Sequence, residues 1–246
     1  MSTASRIEWT EATWNPVVGC TKISAGCKHC YAESMAKRLK AMGTPGYDRG
    51  FALRLLPERL QEPLRRKRPT VYFVNSMSDL FHERVPAPYI DRVLEVIRRT
   101  PQHTYQILTK RAARMSRYFG TEAVPDNAWL GVSVENRKHG VPRIDYLRET
   151  RARIRFLSVE PLLEDVGPLD LHDIHWVIVG GESGPKARPM QPEWAESVQR
   201  QCAKQGVAFF FKQWGGWGAD GKRRSKAQNG RLLKGRTWDE MPQTVA

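Results

Sequence analysis

Six short apolar runs, rich in β-branched and aromatic residues, recur along this chain about every 20 to 35 residues. They are 71–75 (VYFVN), 105–108 (YQIL), 129–134 (WLGVSV), 154–159 (IRFLSV), 176–179 (WVIV) and 207–211 (VAFFF). Near-continuous apolar strands are buried on both faces, which predicts a parallel sheet packed against helices. The repeat length is that of βα units. A further strand is expected around 6–9. Helical stretches lie at 31–42, ended by Gly43, at 88–99, opened by a proline, and at 192–205, ended by Gly206.

Polar residues gather where each run ends. NSMSDLF follows the first, then TKR, EN, EPLL, GGESG and KQWGG in order. Parallel α/β folds build their sites at the carboxyl ends of strands, so the chemistry is expected there. The segment 215–236, rich in Gly, Lys and Arg, has weak periodicity and reads as a loop or flexible appendage. No internal repeat or domain boundary stands out. The expectation is one domain over 1–246, with a cysteine loop at 19–31 and a basic tail at about 215–246.

Forty Lys and Arg oppose 26 Asp and Glu, a net charge of +14, which favours a polyanionic partner through counterion release. No apolar run approaches the length that crosses a bilayer, and the first residues lack the apolar core of a secretory signal, so a cytoplasmic protein is expected. Three of the four cysteines, Cys20, Cys27 and Cys30, fall within eleven residues, while Cys202 stands alone inside a helical stretch. Clustered cysteines without an export signal read as metal ligands, and Cys202 as a packed thiol.

Thiolates suit zinc or iron–sulfur clusters. A structural zinc site normally takes four protein ligands, and the nearest fourth candidate is His29, wedged between two cysteines. A four-iron cluster on three cysteines leaves one iron open to a ligand. A zinc- or iron–sulfur-stabilised nucleic-acid-binding protein without catalysis is the competing account. His82 and His103 read as satisfied loop residues.

The stretch WNPVVGCTKISAGCKHCYAE, with NSMSDLF, SVEPLL and VGGESGP downstream, resembles the phage and bacterial three-cysteine-motif proteins of the "Gp" type, which are radical-SAM-like. The resemblance covers nearly the whole chain. It implies a partial (βα)6-type barrel of the radical SAM kind and a [4Fe–4S] cluster on Cys20, Cys27 and Cys30. It also implies S-adenosylmethionine (SAM) and an external electron donor. Two departures stand out: the cysteine spacing is six then two rather than three then two, and His29 holds the place of an aromatic residue, with Tyr31 following.

The same resemblance assigns a cofactor pocket. Asn75, Ser78 and Asp79 occupy the place of the SAM amino-group motif, although Ser78 or Asp79 would equally serve as a helix N-cap. Ser133 and Glu135 match the position that holds ribose hydroxyls. Gly180 and Gly181 would let backbone approach a ligand, or form a tight turn, and Glu182 would bond to SAM or substrate. Lys110, Glu160 and Lys212 are strand-end charges that, facing inward, would bind substrate or move protons. With +14 overall, the substrate expected is a base in DNA or RNA that is modified or repaired. It would be approached over a basic rim of residues 65–68, Lys110, Arg111, Arg114, Arg117 and the tail cations, with Trp214 and Trp217 as stacking surfaces.

Overall fold

The computed structural model describes residue 5 and residues 7–243. In chain order the elements are β1 (Ala12–Trp14), β2 (Val17–Val18), α1 (Tyr31–Ala41), β3 (Arg54–Leu55), β4 (Val71–Val74), α2 (Ala87–Arg98), β5 (Thr104–Thr109) and α3 (Ala112–Phe119). They continue with β6 (Ala128–Ser133), α4 (Arg143–Arg148), β7 (Ile154–Val159), β8 (Trp176–Gly180), α5 (Pro192–Gln205), β9 (Ala208–Gln213) and α6 (Lys226–Asn229). Seven strands make one sheet in the order β1-β4-β5-β6-β7-β8-β9, and every neighbouring pair is parallel. β1 and β9 remain edges, so the curved sheet is a half-barrel rather than a closed one.

The two faces of the sheet are buried by different means. Tyr72, Val74, Ile107, Leu130, Leu157 and Val179 face a core shared with Ile90, Val93 and Leu94 of α2 and Val198 of α5. The alternate residues of the same strands, Phe73, Leu108, Trp129, Phe156 and Ile178, with Phe210 of β9, form a second cluster to which, among the described residues, no helix contributes. Its cover is Trp9, edge-on to Phe73 at 4.8 Å and to Trp176 at 6.1 Å between ring centroids. Helices therefore cover one face, and an aromatic floor fills the other. Each fully buried Leu, Ile, Val or Phe contributes roughly 1.5–3 kcal/mol of transfer free energy.

The first strand corrects the expectation at 6–9. Trp9 lies in a turn and its ring plugs the concave face, while the strand starts at Ala12, where the backbone pairs with Tyr72 of β4. Arg6 lies outside the described residues. The expected appendage at 215–236 is corrected too: it is mostly loop, but it is anchored. Trp214 is buried against Phe211 and donates its indole N–H to Leu232 O (2.9 Å), Leu233 is buried, and Trp238 packs edge-on to Phe209. Three apolar anchors without helical or strand periodicity hold it down, which is why periodicity missed it. Among the described residues, no helix is long and apolar enough to cross a membrane.

Candidate functional site

The cysteine loop leaves β2 at the carboxyl edge of the sheet. Gly19 N–H donates to Met77 O (3.0 Å), and Ser78 Oγ donates to Val17 O (2.8 Å), so the loop is laced to the segment after β4. Gly19 has φ +77°, and a Cβ there would stand 2.2 Å from Ala52 O, so only glycine fits this crossing. Cys27 ends a 3₁₀ turn, Ala25–Cys27, and Cys30 is the N-cap of α1. All three thiols are partly exposed and none is in a disulfide.

Three carboxylate–arginine pairs rise from the ends of alternate strands and meet this loop from below. After β4, Asp79 accepts from Thr109 Oγ1 (2.7 Å), from the N–H groups of Phe81 and Lys110, and from Arg111 Nη1 (3.1 Å). Arg111 then donates to Cys20 Sγ (3.4 Å) and to the carbonyl and hydroxyl of Thr21. After β6, fully buried Glu135 is paired with Arg143 at 2.6 Å. Gly26 lies directly on it, since a Cβ there would meet Glu135 Cγ at 3.1 Å. After β8, Glu182 accepts from Arg188 N, Nε and Nη2, and Arg188 Nη2 also donates to Ala25 O (3.0 Å). His82 adds a fourth tie. Its Nδ1 accepts from Arg84 N, so Nε2 carries the proton toward Thr21 Oγ1 at 2.9 Å.

Beneath the loop a polar layer faces the concave side. Lys110 Nζ donates to Ser133 Oγ (3.0 Å). Glu160 accepts from Ser158 Oγ (3.3 Å) and pairs with Lys212 Nζ (3.1 Å), which sits 6.0 Å from the Trp9 ring centroid. Asn75, 3% exposed at the end of β4, has no hydrogen-bond partner among the described residues for either side-chain amide atom. A buried amide with both ends unmet points to a ligand.

Charge is distributed in favour of thiolate chemistry at one end of the loop. Burial pushes the Cys27 thiol up, but Lys110 and hydrogen bonds within the loop outweigh it and hold the thiol below its usual value. Burial and nearby Asp79 raise the Cys20 thiol, against the pull of Arg111. Burial likewise opposes ionisation of Glu135, yet Lys110 and Arg143 keep its carboxyl below the usual range. Among the described residues, no three His, Cys, Asp or Glu side chains converge on a single metal ion. A four-iron cube spreads its thiolates farther apart than one ion does. Three free, soft donors on one loop, with Lys110, Arg111 and Lys22 nearby, suit such a cluster in chemistry and charge.

Each residue singled out from the sequence can now be placed. Asn75, Lys110, Ser133, Glu160 and Lys212 lie in the polar layer. Ser78, Asp79, Glu135 and Glu182 are also at strand ends, but their polar atoms are engaged in holding the loop. Gly180 and Gly181, expected to let backbone approach a ligand, are packed closely against protein on their Cβ side. A Cβ at Gly180 would meet Glu160 Oε1 at 2.5 Å, and one at Gly181 would meet Trp214 O at 1.9 Å, so protein fills both spaces. Buried Trp214 offers no stacking face, and residues 65–68 precede β4, at the opposite end of the sheet from the cysteines. The sequence reading missed Arg143 and Arg188. They lie 8 and 6 residues beyond their carboxylates, a spacing that carries no periodic signal.

Comparison with solved structures finds the same architecture. Spore photoproduct lyase, as a cysteine-to-alanine mutant with dinucleoside spore photoproduct, superposes with a TM-score of 0.50 at 12% identity, covering 83% of this chain and 64% of that one. The same mutant without that ligand gives 0.49, and a double mutant with bound AdoMet and dinucleoside spore photoproduct gives 0.41, both at 12% identity and the same coverage. This chain thus spans a little under two thirds of those structures. The α/β partial barrel of the radical SAM kind, expected from the sequence, is the observed fold. No curated protein sequence matches the chain. A family model described as "Protein of unknown function (DUF5131)" matches residues 4–242, so the chain belongs to the DUF5131 family.

Proposed function

We propose that this protein is an iron–sulfur enzyme of the radical SAM type that modifies or repairs a base carried on nucleic acid. One observation carries the reading: three free thiols on a loop clamped over a polar layer, at the carboxyl edge of a parallel half-barrel. The resemblance of the cysteine motif and its downstream stretches to radical-SAM-like proteins supports it. Cys20, Cys27 and Cys30 would hold a [4Fe–4S] cluster, which when bound supplies the electron for reductive cleavage of SAM.

The chain's own groups have definable tasks around that chemistry. Asn75 offers a donor and an acceptor that nothing else uses, matched to the amino and carboxylate ends of an amino-acid moiety. Lys110 anchors on Ser133, and its charge favours the ionised forms of Cys27 and Glu135. The Lys212–Glu160 pair sets a cation and a carboxylate side by side at the aromatic floor. The floor of Trp9, Phe73 and Phe156 excludes water from below, which protects a reactive intermediate. The net charge of +14 supports a nucleic-acid partner.

Anaerobic reconstitution tests the reading. The protein should turn brown, bind about four irons per chain and lose most of them on replacing Cys20, Cys27 or Cys30 by Ala, while Cys202→Ala keeps them. Incubation with SAM and a strong reductant should release 5′-deoxyadenosine. Stoichiometric zinc without iron uptake, or iron without 5′-deoxyadenosine, would overturn it.

A further inference from the structure

Beside the cysteine loop, α3 and α4 frame an open groove of about 730 Å³. Its walls carry Lys110, Arg111, Arg114, Arg117 and Arg143 with a single carboxylate, Glu83, and two tyrosines, Tyr118 and Tyr146. Several of these cations are already spoken for. Arg111 binds Asp79 and Glu83, Arg143 binds Glu135, and Arg114 donates to the carbonyls of Phe81, His82 and Val85. Among the described residues, the side chains of Arg117, His139 and Tyr146 make no hydrogen bond or ion pair. Arg117 and His139 are exposed, and Tyr146 is 41% exposed. The groove therefore keeps free cationic and aromatic groups along its outer wall, and at its inner end, next to Lys110, Arg111 donates to Cys20 Sγ (3.4 Å) of the cysteine loop.

The basic tail is more engaged by comparison. Arg224 is paired with Asp220, Lys226 with Glu8, and Arg223 donates to Pro185 O. The volume of the groove is that of a site for one drug-sized molecule, well short of the footprint of a duplex. A phosphodiester strand with one base stacked on an exposed tyrosine meets both its charge and its size.

We propose that the α3–α4 groove binds a single-stranded or extruded segment of nucleic acid, with phosphate on Arg117 and a base on Tyr146, and delivers the neighbouring nucleotide to the Lys110 side of the cysteine loop. This rests on the reading of nucleic acid as the substrate-bearing partner and names its site. The neighbouring His139 lies on the same wall.

The test is equilibrium binding of fluorescein-labelled single-stranded DNA and RNA oligomers to the full chain, across a salt titration and without SAM. Arg117→Ala should weaken binding and reduce the log–log salt slope by about 0.7. Tyr146→Ala should weaken it about fivefold or more with the slope unchanged. The combined Lys222→Ala, Arg223→Ala, Arg224→Ala and Lys226→Ala variant should bind within about twofold of the parent, since Arg224 and Lys226 are already ion-paired and Arg223 is held by Pro185 O. Unchanged melting temperatures verify that the variants fold. Wild-type-like binding by both groove variants, loss of binding only in the tail variant, or tighter binding of duplex than of single strands would overturn the proposal. So would competition by polyglutamate as effective as by unlabelled oligomer. The assay needs no cluster, so a failure here leaves 5′-deoxyadenosine formation standing, and a failure of that chemistry leaves the groove standing.

Discussion

Glu135 keeps a negative charge with no exposure to solvent because Arg143 meets both its oxygens, at 2.6 and 3.3 Å, and Lys110 adds its field. Removing one member of such a pair leaves the other charge buried and unmatched, at a cost of about 3–5 kcal/mol. Glu135→Gln should lower unfolding stability in urea by that amount and loosen the cysteine loop, since Gly26 rests on the Glu135 side chain. A loss under about 1 kcal/mol would show that the pair is not a clamp. The sequence pointed to Glu135, Asp79 and Glu182 because each follows a strand, and the family resemblance implied a ligand for them, with a helix N-cap as the alternative for Asp79. Their actual partners, Arg143, Arg111 and Arg188, are fixed by the three-dimensional crossing of the cysteine loop over the sheet. That crossing leaves no mark on local spacing. Position at a strand end is legible; which neighbour an ionised group meets there is not.

Elements followed the patterning closely where burial dictated it. The run 154–159 is β7, and 192–205 is α5, ended by Gly206 at φ +68°. Each buries a face of known period, so the signal is strong. β2 and β3, two residues each, and the six-residue α4 bury too little to leave a pattern, and the sequence showed none of them. At the amino ends of β7 and β8, His175 N–H donates to Arg155 O (2.9 Å), while Arg155 N–H donates to His175 Nδ1 (3.1 Å), adding a rung to the ladder. That acceptor requires a neutral ring. Burial and the Arg155 guanidinium hold the imidazole below its ordinary value of 6.5. A depressed histidine binds fewer protons folded than unfolded. Its contribution is therefore complete above 6.5 and is lost as pH falls through the lowered folded value. His175→Asn, with an amide oxygen as substitute acceptor, should flatten this part of the stability–pH profile between about pH 7 and 5. An unchanged slope would mean that this ring does not titrate on unfolding.

Across the whole molecule the cysteine loop touches the half-barrel at Ser78, Arg111, Glu135 and Arg188, which follow β4, β5, β6 and β8. A group bound by all three thiols would therefore bridge segments that separate on unfolding of the sheet. Anything that binds the folded chain and not the unfolded one stabilises it by mass action. The unfolded loop still holds its three cysteines within eleven residues, so part of the affinity survives unfolding and the gain is reduced. The expected outcome is a rise in melting temperature on anaerobic iron–sulfide reconstitution. At about 2–4 °C per kcal/mol for a chain of this size, a gain of 2–3 kcal/mol reads as roughly 4–12 °C. Cys30→Ala should abolish the rise, because Cys30 is the N-cap residue of α1 and its thiol would join that helix to the other two thiols. Arg188→Ala should shrink the rise without abolishing it, since it removes one docking point for the loop and none of the thiols. If reconstituted and apo protein melt together while iron is bound, the cluster is held by a loop that is independent of the barrel. The clamp from the three carboxylate–arginine pairs would then have no energetic weight.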